Sequence, residues 1–345
     1  MLYAIWAVSL GLFLVSILAM VVLLCLRFIK QRQDKRDQVL SAQLKKAIVI
    51  WLHTPDADVS VLQQAAKANP RQMVRLLTHM ASLLEGQEHA RLVGLCKDLG
   101  LQAYMLTELF RGRSGQRIKS AEALAFFNTD EVAEALTASL TASNPELRLA
   151  AARSLAHQQR QVPASALRDM HWEDSALVDG LFKQLALHQT DDLLALVRDT
   201  SVLPERRVSA LSALANTGDL TLLPIFIEMT SDALAPLREV AVQGLGTLGH
   251  PRAKEAIERL LDDEQYRVRA AAVRAVGQIQ LEALYDHAAK LLADDSWWVR
   301  FAAAEALAGC GEKGLSVLRR VQASGALEAS DMASMALLEY TRGVE

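Results

Sequence analysis

The chain has 345 residues, of which 51% are hydrophobic and only 5% are aromatic, and its formal net charge is −3. A weakly acidic chain gives no indication of nucleic-acid binding, which needs a concentrated positive surface. Alanine and leucine are abundant, and both lose little entropy in a helix, so the composition favours an all-α fold. The three cysteines, Cys25, Cys96 and Cys310, are too few and too scattered for a disulfide framework or a zinc site.

The first segment is a long apolar run. Residues 2–26 contain no charged side chain, and a helix of that length crosses the roughly 30 Å hydrocarbon core of a bilayer. A cleaved signal peptide would have a basic start, a shorter apolar core and a small-residue cleavage site, none of which is present. We therefore expect an uncleaved, single-pass transmembrane anchor over residues 1–29.

A basic juxtamembrane segment (residues 30–37) follows the anchor. The bases that flank the apolar run on this side are Arg27, Lys30, Arg32, Lys35 and Arg36. The positive-inside rule predicts that the N-terminus lies outside and that the rest of the chain lies in the cytoplasm, at the cell (inner) membrane. The same bases could bind anionic lipid, at about 1 kcal/mol each, but a topology signal explains them more simply.

An internal repeat dominates the C-terminal half. Residues 206–218, 237–249, 268–280 and 299–311 align, and arginines recur in them every 31 residues, at Arg207, Arg238, Arg269 and Arg300. Arg148 lies two periods before Arg207, give or take three residues, and Arg117 lies one full period before Arg148. Apolar residues three, four and seven positions after each arginine form one stripe of a helix.

An aspartate stands six residues before each of three arginines, at Asp232, Asp263 and Asp294. A second apolar helix precedes each aspartate, so each unit reads as helix, aspartate-bearing turn, helix. Such an aspartate can cap the following helix or accept a hydrogen bond from a neighbouring arginine.

These units resemble HEAT repeats of the short, phycobilisome-lyase-like type, in which an aspartate turn precedes VRxxAAxALG. Residues 262–277 and 294–309 are the closest matches, good matches cover 201–311, and weaker ones reach back to 117. The resemblance implies an α-solenoid in which arginines and aspartates form a ladder between units. The residues to which it assigns that structural role are Arg117, Arg148, Arg207, Asp232, Arg238, Asp263, Arg269, Asp294 and Arg300.

The remaining segments are assigned from the same register. Residues 38–115 read as helices without the signature and are predicted to form an N-terminal helical cap, with degenerate repeats as the alternative, while residues 116–345 are predicted to form the repeat array. Within the array, residues 160–200 read as one divergent repeat, in which residues 163–175 lengthen the turn. Residues 332–340 are expected to form a degenerate C-terminal capping helix.

The sequence holds no motif for catalysis. The histidines fall singly, and no metal-spaced cluster, phosphate-binding loop or nucleophile elbow is present. We therefore expect no enzyme activity, no cofactor, no metal and no small-molecule substrate. The likeness to phycobilisome lyases leaves a bilin lyase-like enzyme, or a subunit of an enzyme complex, as an alternative, although a fold does not fix a function.

The favoured function is that of a membrane-tethered scaffold that binds a protein partner through the surface of its repeats. An adaptor that binds anionic lipid is a further alternative. Residues two, five and nine positions after each arginine are predicted to point away from the core. The ridge that they form includes Arg153, His157, Asn216, Gln243, Arg274, Gln278 and Glu305. Its mixed charge argues against nucleic acid. Trp298 is predicted to be an exposed interface anchor, while Trp297 shares a column with Tyr266 and is expected to pack between units.

Overall fold

The computed structural model describes Met20 and residues 42–54, 58–169, 175–324 and 327–343. The regular structure of these residues is entirely helical, in agreement with the predicted all-α class. The expected anchor, apart from Met20, and the basic segment at 30–37 lie outside the described residues. None of the helices in the described part is both long enough and apolar enough to cross a membrane.

The chain divides into two compact units, Met1–Val132 and Ala133–Glu345. The first unit contains α1 (42–53), α2 (Ser60–Ala68), α3 (Pro70–Ala81), α4 (Gly86–Asp98), α5 (Leu101–Arg111) and α6 (Ser114–Leu124). Asn69 caps the N-terminus of α3: its side chain accepts a hydrogen bond from the Gln72 N–H, and Pro70 occupies the first helical position. From α2 to α6, consecutive helices pack against each other, with a core that includes Met73, Leu77, Leu92, Met105 and Leu109.

The second unit continues with paired helices, and α7 (Asp130–Ser139) contains the boundary. The next six helices are α8 (Pro145–His157), α9 (Ala164–Asp169), α10 (Ser175–Leu185), α11 (Thr190–Arg198), α12 (Pro204–Ala215) and α13 (Leu223–Met229). They are followed by α14 (Ala235–Leu248), α15 (Lys254–Leu260), α16 (Tyr266–Ile279), α17 (Tyr285–Lys290), α18 (Trp297–Ala308), α19 (Gly311–Ala323) and α20 (Leu327–Gly343). Short 3₁₀ turns lie at Leu220–Leu222, Pro251–Ala253, Glu282–Leu284 and Leu291–Ala293.

Two layers of helices build the second unit. The second helix of each pair packs against the next, in the order α8, α10, α12, α14, α16, α18 and α20, and the first helices stand behind this layer. The stripe predicted from the sequence faces between the layers: Ala241, Val242 and Leu245, for example, are fully buried. Because each helix pair packs against the pair before it and the pair after it, the buried stripes join into one continuous core, as repeat stacking requires.

The divergent segment keeps the place of a repeat. α10 packs between α8 and α12 in the layer of second helices, although it lacks the registered arginine. Residues 163–175 hold the short helix α9, so they are more than a lengthened turn. At the C-terminus the final helix runs from Leu327 to Gly343, well beyond the predicted 332–340, and it pairs with α19.

Residues in the left-handed conformation directly follow two of the second helices, α14 and α16. Gly249, with φ 66°, stands directly after α14, and one period later Gln280 occupies the same place after α16 with φ 57° and ψ 51°. Only glycine adopts this backbone conformation without a steric cost. Gln280 is therefore a non-glycine residue at a glycine position.

Candidate partner-binding surface

The registered arginines join successive repeats. Arg238 donates from Nε and Nη2 to the two carboxylate oxygens of Asp263, at 2.7 and 2.9 Å. Arg269 does the same to Asp294, at 2.7 and 2.8 Å. Each arginine thus binds the aspartate of the following unit, 25 residues on, and its planar guanidinium matches the carboxylate in the bidentate geometry.

The same arginines also hold the turn that precedes their own helix. Arg238 Nη1 donates to the carbonyl of Asp232 at 3.0 Å, and Arg269 Nη1 donates to that of Asp263 at 2.8 Å. The aspartates fix these turns as well: Asp263 Oδ1 accepts from the Gln265 N–H at 2.9 Å. Gln265 is the N-cap residue, directly before Tyr266, where α16 begins, so the aspartate acts two residues before the N-cap position.

The buried aspartates of these ion pairs have lowered pKa values. Burial alone would raise the pKa of Asp263, but hydrogen bonds from the Arg238 guanidinium and the Gln265 N–H outweigh it and lower that pKa. The pKa of Asp294 is lowered against burial in the same way, by Arg269 and the Ser296 N–H. Both carboxylates are therefore ionised at neutral pH and engaged within the array.

The ladder changes at its ends. Arg207 is buried; its Nη2 bonds to Asp232 at 2.6 Å and its Nε to the carbonyl of Val197 at 2.7 Å. Arg300 binds the carbonyl of Asp294 at 2.8 Å, and its nearest carboxylate is that of Glu328, at 4.0 Å. Arg148 bonds to the carbonyl of Ala142 at 2.9 Å. In the first unit, Arg117 bonds to the carbonyl of Leu109 at 2.8 Å.

The predicted ridge lies on the layer of second helices. Six of its residues are exposed, namely His157, Asn216, Gln243, Arg274, Gln278 and Glu305, and Arg153 is half-buried. Gln243 donates weakly to Glu239 at 3.4 Å. The ridge therefore presents amides and charges of both signs to its surroundings.

One part of the ridge prediction is wrong. The positions two residues after each arginine do not all point outwards, because Ala150, Ala271 and Ala302 are buried. Each second helix packs against a second helix on either side, so its flanks are buried as well as the face towards the first helices. In these three helices, positions five and nine are left for a partner.

Three aromatic side chains cluster where α18 begins. Trp297 stacks on Phe301 with ring centroids 5.2 Å apart and planes 17° from parallel. Trp298 meets Trp297 edge to face, with ring centroids 4.9 Å apart. Trp297 is 47% exposed and Trp298 is 58% exposed. The prediction that Trp297 packs between units is therefore wrong, because its ring lies over a residue one turn along its own helix.

A groove adjoins this aromatic cluster. It lies between α18 and α20, has a volume of about 320 Å³, and includes Phe301 and Glu305 from α18 and Met332, Met335 and Glu339 from α20. Of these, only Glu305 belongs to the predicted ridge. Sequence reasoning missed the three residues of α20 because that helix lacks the registered arginine that would have aligned it with the earlier units. It missed Phe301 because the position directly after the arginine was not among those predicted to face outwards.

A second groove lies within the first unit, among α3, α5 and α6, with a volume of about 280 Å³. Arg71 lies in it and donates to the Tyr104 hydroxyl at 3.1 Å and to Glu108 at 3.4 Å. This arginine is thus engaged with groups of its own unit.

The arrangement offers little chemistry. Burial raises the pKa of the Cys96 thiol to about 12, so the reactive thiolate is scarce at neutral pH. Within the described ranges, no three side chains among histidine, cysteine, aspartate and glutamate gather as a metal would require.

Comparisons with known proteins agree with the repeat register. The family model for HEAT repeats matches residues 223–308, which run from the first residue of α13 to the last of α18. A search among curated proteins finds no sequence relative. The more specific likeness to phycobilisome-lyase repeats stays a prediction.

Several solved structures are similar at low identity. An engineered protein is 18% identical, with 87% of this chain and 96% of that chain covered and a TM-score of 0.37. The Escherichia coli protein YibA is 15% identical, with 75% and 98% covered and a TM-score of 0.43. Kap121p bound to Ste12p is 13% identical, with 88% and 41% covered and a TM-score of 0.49. The family match carries the assignment: residues 223–308 match the HEAT-repeat family.

Proposed function

We propose that this chain is a non-enzymatic scaffold that binds a protein partner on its layer of second helices. The observation that carries the proposal is the aromatic cluster on that layer, in which Trp297 and Trp298 are exposed and Phe301 is half-buried. Exposed aromatic side chains that adjoin an apolar groove are typical of interfaces, where burying them supplies much of the binding energy.

The ladder supports this function by holding the surface in one conformation. The bidentate bonds of Arg238 and Arg269 fix each second helix relative to the next. A surface that is ordered before binding loses less entropy when the partner arrives. The mixed charges of the ridge favour a protein over nucleic acid, which would need a positive surface.

We also propose that residues 1–29 tether the scaffold to the cell (inner) membrane, with the repeats on the cytoplasmic side. The uncharged run at 2–26 and the five bases that follow it support this orientation. Extraction of membranes with alkaline carbonate tests the tether. The full chain is expected to stay in the pellet and a chain without residues 2–26 to leave it, while extraction of both would refute the tether.

Partner binding is tested by purifying the tagged full chain from its native membranes in mild detergent. A defined protein is expected to co-purify in near-stoichiometric amount. Its recovered amount is expected to fall by about tenfold or more when Trp298 and Arg274 are both replaced by alanine. The matched control is Phe110→Ala, which removes an exposed aromatic side chain from α5 in the first unit. Equal recovery with all three proteins, or no partner at all, would contradict the proposal.

A further inference from the structure

The groove between α18 and α20 has the chemistry of a site for a helix. Its apolar side chains are of two kinds: the large, adaptable Phe301, Met332 and Met335, and the small Ala304, Ala308 and Ala336. Small residues let another backbone approach closely, and methionine side chains adjust to the shape of an apolar partner. Met335 is 52% exposed, so apolar area is available to an occupant.

Acids flank this apolar surface on both helices. Glu305 follows Phe301 by four residues on α18, and Glu339 follows Met335 by four residues on α20. Residues four apart lie on one face of a helix, so each large apolar side chain has a carboxylate one turn away. Among the described residues that line the groove, these two glutamates carry the charge, and both are exposed.

From this pattern we infer that the groove binds an amphipathic α-helix of the partner whose apolar stripe is flanked by lysine or arginine. The apolar side chains enter between Phe301 and Met335, and the bases bond to Glu305 and Glu339. Trp297, stacked on Phe301, extends the apolar contact beyond the end of the groove. The inference rests on the proposed scaffold function and adds the chemical class of the partner segment.

The test uses the full chain in mild detergent and a fluorescent synthetic helix of about five turns, with leucine along one face and lysine on its flanks. Three further peptides serve as comparisons: one with glutamate in place of lysine, one with the same composition in scrambled order, and one with arginine in place of lysine. Fluorescence anisotropy gives the dissociation constant of each. The lysine and arginine peptides are expected to bind and the other two to bind at least about tenfold more weakly.

Two variants locate the site. Phe301→Ser with Met335→Ser is expected to weaken the lysine peptide at least about tenfold, because it removes the apolar walls. Glu305→Lys with Glu339→Lys changes only exposed side chains; it is expected to weaken the lysine peptide about tenfold and to strengthen the glutamate peptide. The matched control is Glu134→Lys with Glu255→Lys, which reverses two exposed charges outside the groove and is expected to leave both affinities unchanged.

Several outcomes would overturn the inference. These are equal binding of the ordered and scrambled peptides, equal loss in the Glu134/Glu255 control, or full binding by the Phe301/Met335 variant. A dimer of the full chain that dissociates in the Phe301/Met335 variant would assign the groove to a second copy instead. If the native partner still co-purifies with both groove variants, the scaffold proposal stands and the groove inference alone falls.

Discussion

Arg238 and Asp263 face each other across two successive repeats, joined by two hydrogen bonds of 2.7 and 2.9 Å and almost removed from solvent. The side chains are 11% and 7% exposed. A second inter-repeat pair, Arg198 and Glu228, has a similar separation in sequence, but its side chains are 51% and 48% exposed. Because both are arginine–carboxylate pairs and only the first is buried, comparing them shows how much burial adds to the contribution of an ion pair to stability.

Replacing Arg238 with methionine is expected to destabilise the protein by about 3–5 kcal/mol, because Asp263 would be left buried without its cation. Arg198→Met is the matched control and is expected to cost about 0–1 kcal/mol. Urea unfolding of the full chain in mild detergent, followed by circular dichroism at 222 nm, measures both. Equal losses for the two variants would contradict a structural role for the buried ladder.

The ladder also predicts a loss of stability in acid. The folded pKa values of Asp263 and Asp294 lie below the ordinary aspartate value, so their stabilisation is present above about pH 4. It is lost as the pH falls through the lower, folded pKa values. The unfolding free energy of the wild type should therefore fall below about pH 4, and that of Asp263→Asn with Asp294→Asn should fall less steeply. Parallel curves for the two proteins would show that these carboxylates do not contribute.

Gln280→Gly is expected to stabilise the protein by about 1 kcal/mol, because a side chain at φ 57° carries a steric cost that glycine avoids. The reverse change, Gly249→Ala, places a side chain at the equivalent position after α14 and should cost a similar amount. A Cβ at Gly249 would meet nothing within 4 Å, so the effect there comes from the backbone. Thermal midpoints that move in the same direction for both variants would contradict this explanation.

Gly244→Ala is expected to cost about 1–3 kcal/mol, because the added Cβ would lie 2.5 Å from the ring of the buried Phe226. Gly180→Ala is the matched control: Gly180 also lies within a second helix, but its Cβ would meet nothing within 4 Å. That variant should stabilise by about 0.5–1 kcal/mol through helix propensity alone. If Phe226→Leu restores the stability of the Gly244→Ala variant, the cost lies in the contact with the Phe226 ring. Equal effects of Gly244→Ala and Gly180→Ala on stability would rule out this contact as the cause.

The repeat register was predictable from the sequence because the same residue types recur at a fixed spacing of 31 residues. The arginine column and the stripe three, four and seven residues later indicated which helix faces are buried, and Ala241, Val242 and Leu245 are buried as expected. The spacing did not say whether the aspartates would cap helices or bind arginines. Asp263 binds Arg238, and its Oδ1 also accepts from the Gln265 N–H in the turn before α16, so it fixes that turn and does not cap the helix itself.

The groove could not be predicted in the same way. Its far wall is α20, where Met332 and Met335 stand in a helix without the arginine that marks the register. The position of the Trp297 ring was missed for a local reason: the comparison with Tyr266 in the repeat column did not consider Phe301, four residues along the same helix, on which Trp297 stacks. Local patterns predict the helices, whereas packing at the end of the array creates the surface.

Site-specific photo-crosslinking in native membranes tests the central claim most directly. A photoreactive residue is placed singly at Gln243, at Arg274 or at Trp298 in the full chain, and at Glu255 on the first helix α15 as the control. The scaffold account predicts one discrete crosslinked protein from the first three positions and none from Glu255. Adducts of equal yield at all four positions, or an adduct at Glu255 alone, would contradict it.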